Sequence, residues 1–223
     1  MIMKRILLAC VLTAAVASVA KADEPYKYNE LYYQRATLFA VLPVTSDDII
    51  FLGNSTVHGC EWNELFDMPN IKNRGINGDV IQGIIDRLAP VVSGHPKKIF
   101  LITGANDVSH HLTVDSLATA YGKLIHKIRT ESPQTRLYVM STLPINNSFQ
   151  RYKNLIGKED VIRGMNARLA VICKKEGATW IDLTPYFIDE KGDLRKELTN
   201  DGLHLFGEGY LIFRNVVRPY VLE

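Results

Sequence analysis

Residues 49–62 read IIFLGNSTVHGCEW: four apolar residues and a glycine, then a polar turn that carries Ser55. A short apolar run closed by glycine reads as a fully buried strand, the kind found in parallel sheets with both faces covered. Four further runs occur: IKNRG (71–75), KIFLIT (98–103), RLYVMS (136–141) and TWIDL (179–183). Between them the apolar residues recur at helical spacing. Val80, Ile84, Ile85 and Leu88 share one face, as do Leu117, Tyr121, Leu124 and Ile128, while 26–42, 166–175 and 208–221 supply further helices. Strands alternating with helices predict an α/β fold with a five-stranded parallel sheet and helices on both faces. In such sheets the functional residues gather beyond the carboxyl ends of the strands, which is where Ser55, Gly75 and the loop after Thr103 fall.

The chain has 223 residues, of which 47% are hydrophobic and 22% charged, a balance that fits one domain with a sizeable core. Its first 22 residues join Lys4 and Arg5 to an apolar stretch and the small-residue site Ala20-Lys21-Ala22. That is the pattern of a secretory signal peptide, with cleavage expected after Ala22 and a single domain over 23–223. The expected location is therefore exported, periplasmic or secreted. Leu7-Leu8-Ala9-Cys10 resembles a lipoprotein box, but too short an apolar segment precedes the cysteine, so no lipid anchor is expected. No later stretch approaches the roughly 20 apolar residues a membrane span needs.

Removing Lys4, Arg5 and Lys21 takes the formal charge from +2 to −1, so the basic balance belongs to the leader. No run of Lys and Arg interleaved with aromatics is present, and a nucleic-acid partner is not expected. Cys60 and Cys173 remain after the leader and could pair in an oxidising compartment. Residues 143–160, LPINNSFQRYKNLIGKED, form the one long irregular stretch, read either as a lid or binding loop or as a solvated insertion.

The serine alone decides little, because GNSTV lacks the second glycine of the G-x-S-x-G elbow. A serine hydroxyl becomes a nucleophile when a base takes its proton and a carboxylate orients that base. Thr199-Asn200-Asp201-Gly202-Leu203-His204 places an aspartate and a histidine three residues apart, so that on one tight turn Asp201 can accept from His204 Nδ1 while Nε2 faces Ser55. Gly75 and Asn106 are a backbone N–H and a side-chain amide at the ends of the second and third strands, the donor types an oxyanion hole requires. Each alone reads better as an ordinary turn residue; it is the joint order that points to acyl transfer. His58 lies too close along the chain to serve as base and is placed at the pocket rim. His110 and His111 are adjacent, which does not suit a shared metal, and they are expected to line the mouth beside Asn106. Trp62 reads either as a sugar-stacking platform or as a core residue. His95 and His126 are expected at the surface. No Cys/His metal spacing is present.

Taken together, FLGNSTVHG, NRGINGD, TGANDV and NDGLHL resemble the blocks of the SGNH, or GDSL, hydrolase family, over nearly all of the chain after the leader. The resemblance implies a three-layer α/β/α sandwich of flavodoxin-like strand order, a serine esterase mechanism and no metal or organic cofactor. It implies Ser55 as nucleophile, His204 as base, Asp201 as its orienter, and the Ser55 N–H, Gly75 and Asn106 as the oxyanion hole. The CEW, NRG and DGLHLFGEGY segments look most like a bacterial carbohydrate (sialate-type) acetylesterase or platelet-activating-factor acetylhydrolase-like branch. The expected substrate is a small-molecule or glycan acetyl ester; lipid, aryl or thioester cleavage, or glycan binding without turnover, are the alternatives. Asn54 departs from the family pattern, which has aspartate before the serine.

Overall fold

In a computed structural model that describes residues 27–223, every one of the five apolar runs is a strand. The leader and its cleavage site lie outside the described residues. The first helix, α1 (Glu30–Val41), leads into β1 (Ile49–Gly53), and two short helices, α2 (Ser55–His58) and α3 (Trp62–Phe66), come before β2 (Ile71–Gly75). Next come α4 (Ile81–Asp86), α5 (Ala89–Val92), β3 (Lys98–Ile102), α6 (Ala105–Ser109), the long α7 (Val114–Glu131) and β4 (Arg136–Met140). Two 3-10 turns, Asn147–Phe149 and Lys153–Leu155, precede α8 (Glu159–Glu176), β5 (Thr179–Ile181), α9 (Thr184–Phe187) and α10 (Gly207–Leu222).

All strand pairs are parallel and the order is β2-β1-β3-β4-β5, the flavodoxin-like order. Alternation along each strand divides the core in two. Ile50, Leu52, Ile99, Leu101, Leu137 and Val139 pack under α4, α5, α7 and α8. Ile49, Phe51, Phe100, Ile102, Tyr138 and Met140 pack under α3, α9 and α10. The sandwich thus has three layers. On the second face Phe51 stacks on Phe100 at 5.0 Å and Phe100 on Tyr138 at 4.6 Å, so one aromatic row runs across three neighbouring strands.

Lys98 opens β3 fully buried, an unusual place for an ammonium. Its Nζ donates to the carbonyls of Tyr220, Val221 and Glu223 at 2.7–2.8 Å, which satisfies the end of α10. Cys60 and Cys173 are free and buried against opposite faces of the sheet, so the disulfide left open by the sequence is absent. Burial pushes both thiols up to about 12. Among the described residues no helix is long and apolar enough to cross a membrane.

Candidate active site

The register sets Gly53 opposite both Gly75 and Ile102, so β1, β2 and β3 end level and the loops leaving them meet at one edge. Asn54 turns the chain out of β1, and its Oδ1 accepts from Thr56 N at 3.2 Å, capping α2, whose first residue is Ser55. The Ser55 hydroxyl is thereby held at a helix start. It donates to His204 Nε2 at 2.9 Å. His204 Nδ1 in turn donates to Asp201 Oδ2 at 2.6 Å.

The turn that carries the pair is built locally. Asp201 Oδ1 accepts from Leu203 N at 2.9 Å and His204 N at 2.8 Å, while Thr199 Oγ1 accepts from Gly202 N at 2.9 Å. Gly202 sits at φ +85°, and a Cβ there would lie 2.2 Å from the carbonyl oxygen of Asn146. Only glycine lets the turn dock on the 143–158 segment, where Asn146 N donates to Gly202 O at 2.8 Å. Burial works to raise the Asp201 pKa, but the bonds from His204, Leu203 and Tyr152 outweigh it and hold the carboxyl well below the usual range. Asp201 is an anion at every working pH.

Tyr152, which sequence reasoning missed, touches both partners: its hydroxyl is 2.9 Å from Asp201 Oδ2 and 3.2 Å from His204 Nδ1. No local pattern marks it, because its partners lie about fifty residues away. The 143–160 stretch is accordingly tied into the site at one side and open to solvent at the other: Leu143, Ile145, Asn146 and Leu155 are buried, Gln150, Arg151, Lys153 and Asn154 are exposed, and α8 begins inside its last residues.

The oxyanion donors need one correction. The N–H of Gly75 is spent on Asn73 Oδ1 at 2.8 Å, and a Cβ at Gly75 would lie 2.2 Å from His58 N. Gly75 therefore serves close packing of β2 against α2. Three residues on, Gly78 is exposed, at φ +77°, and its N–H has no hydrogen-bond partner among the described residues. The Asn77-Gly78 pair is a turn signal legible in the sequence. Asn106 Nδ2 donates to the carbonyl of Asp79 at 2.8 Å, which brings its amide, with a second N–H to give, against that same turn. Buried Arg87 fixes the turn from below through Asp79 Oδ2 at 2.8 Å and the carbonyls of Gly53 and Arg74. The Ser55 N–H likewise has no partner among the described residues.

Of the remaining pocket candidates, Asn54 is a buried cap, and His58 is half-buried with its Nδ1 3.2 Å from Gly75 O, turned to β2 and absent from the walls of the cavities described below. Trp62 is a core residue: it is fully buried, stacked on Phe51 at 4.1 Å, with Nε1 donating to Val57 O, so it cannot stack on a sugar. His110 is exposed and lines a cavity of about 480 Å³ with Tyr28, Asn77, Gly78, Asp79 and Gln82. His111 is exposed beside it but is not in the wall of that cavity, so its expected place at the mouth is not carried by a contact. His95 and His126 are at the surface. A second cavity, about 400 Å³ and mainly apolar, lies between α8 and the segment after β5, with Ile145, Ile162 and Trp180 in its wall. Its lining includes none of Ser55, Gly78, Asn106 or His204.

A parallel sheet with serine, histidine and aspartate joined at its carboxyl edge defines the α/β acyl hydrolases as a class. Residues 51–212 match the GDSL-like lipase/acylhydrolase family, and the chain belongs to that family. The rat platelet-activating factor acetylhydrolase IB subunit alpha1 is 28% identical over 170 residues, covering 73% of this chain and 70% of that protein. A GDSL-like lipase from Bacteroides thetaiotaomicron superimposes with a TM-score of 0.74 at 21% identity, over 86% of this chain and 97% of the other. An acetyl-xylooligosaccharide esterase from Geobacillus gives 0.62 at 14%, over 78% and 94%.

Proposed function

We propose that the protein is an exported serine esterase that removes short acyl groups, chiefly acetyl, from hydroxylated substrates of the carbohydrate class. The observation that carries the reading is the continuous chain Ser55 Oγ–His204 Nε2 at 2.9 Å and His204 Nδ1–Asp201 Oδ2 at 2.6 Å. His204 takes the Ser55 proton as Oγ attacks the ester carbonyl, and Asp201 stabilises the imidazolium that forms. The N–H groups of Ser55 and Gly78 and the Asn106 amide are the donors for the oxyanion. Collapse expels the alcohol, which receives the proton from His204, and leaves an acyl-serine. Water then attacks it by the same route in reverse, releasing the acid and restoring Ser55.

Two features support the substrate class. The cavity that contains Gly78 is lined in part by Lys27, Asn29, Asn77, Gln82 and His110, polar side chains of the kind that pair with sugar hydroxyls, whereas the apolar cavity suited to an acyl chain includes none of Ser55, Gly78, Asn106 or His204. The similar proteins include one named as a platelet-activating factor acetylhydrolase and, sharing the fold, one named as an acetyl-xylooligosaccharide esterase, so acetyl is the part their names share. The signal-like leader supports export.

The test is acetate release from acetylated sugars and from p-nitrophenyl acetate, beside an octanoyl ester. Ser55→Ala is expected to lower turnover at least about a thousandfold. Equal rates for wild type and variant would sink the mechanism, and octanoate cleaved as fast as acetate would sink the short-acyl assignment.

A further inference from the structure

Two donors converge on one oxygen of Asp201. His204 Nδ1 reaches Oδ2 at 2.6 Å and the Tyr152 hydroxyl reaches the same atom at 2.9 Å, with the phenol ring edge-on to the imidazole at 5.8 Å. The other oxygen, Oδ1, is filled by Leu203 N, His204 N and Thr199 Oγ1. An ionised carboxylate only accepts, so the phenol is the donor, and burial together with that bond raises the Tyr152 pKa and keeps its proton in place. Tyr152 comes from outside the turn, on the segment between the two 3-10 turns, and that segment is tied to the same turn a second time through Asn146 N and Gly202 O at 2.8 Å.

We propose that Tyr152 is a positioning residue of the serine–histidine–aspartate chain. By donating to the oxygen that holds His204, it fixes the rotation of the Asp201 carboxylate and limits how firmly that carboxylate holds a protonated imidazole. The proposal rests on the esterase reading. Its physical content is a competition: electron density on Oδ2 is shared between two donors, so each bond is weaker than it would be alone. Without the phenol, Asp201 leans wholly on His204 and the imidazolium is stabilised. The ring then stays protonated, and useless as a base, to higher pH. The charged and titratable groups around the pair are Asp201 on its own turn, Tyr152 and the neighbouring cation Arg151 on the 143–158 segment, and the neutral Ser55 hydroxyl on α2.

The experiment is the pH dependence of kcat/KM for p-nitrophenyl acetate, from about pH 5 to 9, for wild type, Tyr152→Phe and Arg151→Ala. Tyr152→Phe is expected to move the acid limb upward by about half a pH unit or more and to lower the plateau roughly three- to tenfold, with KM unchanged. Arg151→Ala, which removes a neighbouring charge and its hydrogen bond to the phenol but leaves the phenol to donate to Asp201, reports the contribution of that cation and is expected to keep the plateau. A Tyr152→Phe profile that superimposes on wild type after scaling would overturn the proposal, because a merely structural loss lowers the rate without moving the limb. A parallel measurement is the NMR titration of the His204 ring in both proteins, which needs no turnover. An upward shift in Tyr152→Phe supports the proposal even where Ser55→Ala disproves the esterase; an unchanged titration overturns it even where the esterase stands.

Discussion

Asn54 shows how much one side-chain oxygen can do beside a nucleophile. The family pattern has aspartate there, and the loss of a charge next to Ser55 invites the view that the site has decayed. In the folded chain the position has a different role, since Oδ1 caps the four-residue α2 through Thr56 N while the Asn54 carbonyl accepts from Val57 N and His58 N. Amide and carboxylate both offer that acceptor, so the exchange keeps the turn that aims Ser55. It also spares the fold an ionised group at a residue only 3% exposed. Asn54→Asp is therefore expected to keep the fold, whereas Asn54→Ala is expected to lose about 1 kcal/mol of stability in a urea titration. Equal stability of Asn54→Ala and wild type would show that the cap contributes nothing.

At the scale of elements, the meeting of β2 with α2 is what holds the serine turn in place. Asn73 Nδ2 donates to the carbonyls of Val57, His58 and Cys60, and Gly75 lets the two backbones touch. A methyl at Gly75 would stand 2.2 Å from His58 N and 2.7 Å from Val57 C, both backbone atoms that cannot rotate away. Gly75→Ala is expected to cost about 3 kcal/mol or more and to lower activity with it, read as a drop in denaturation midpoint. A variant as stable as wild type would leave the glycine without this role. The same contact explains what the sequence could and could not tell. The strands and the Asp201–His204 turn were legible because each is encoded within a few residues, in an apolar run or a three-residue spacing, and the parallel pairing because helices alternate with the strands along the chain. Whether Gly75 offers its N–H to a substrate depends on Asn73 folding back on it, and whether Trp62 meets a sugar depends on Phe51 and Phe213 closing over it. Tyr152 was illegible for the same reason, since its partners are joined to it only by the packed 143–158 segment.

Across the whole molecule, the carboxyl edge of the sheet concentrates polar groups that the rest of the fold must support. Asp107, directly after Asn106 on α6, is 5% exposed and faces the start of α4, with both oxygens accepting from Ile81 N at 3.1–3.2 Å. Burial is the leading influence and pushes its pKa up to about 7, against the bond from Ile81. The folded protein therefore binds this proton more tightly than the unfolded chain does. Between the ordinary aspartate range near pH 4 and about pH 7 the native state holds more protons, so the contribution of Asp107 to stability is fully present below pH 4 and is lost as pH rises through 7. Asp201 has the opposite sign, its stabilisation being present above the ordinary aspartate range and lost only in acid, so the two do not overlap near neutrality. Asp107→Asn keeps an oxygen for Ile81 N and removes the ionisation. Its stability relative to wild type is expected to improve from pH 5 to pH 8 by about 1 kcal/mol or more, read from urea unfolding at the two values. A difference between the two proteins that does not change with pH would show that Asp107 stays ionised throughout, held by the α4 amide despite its burial.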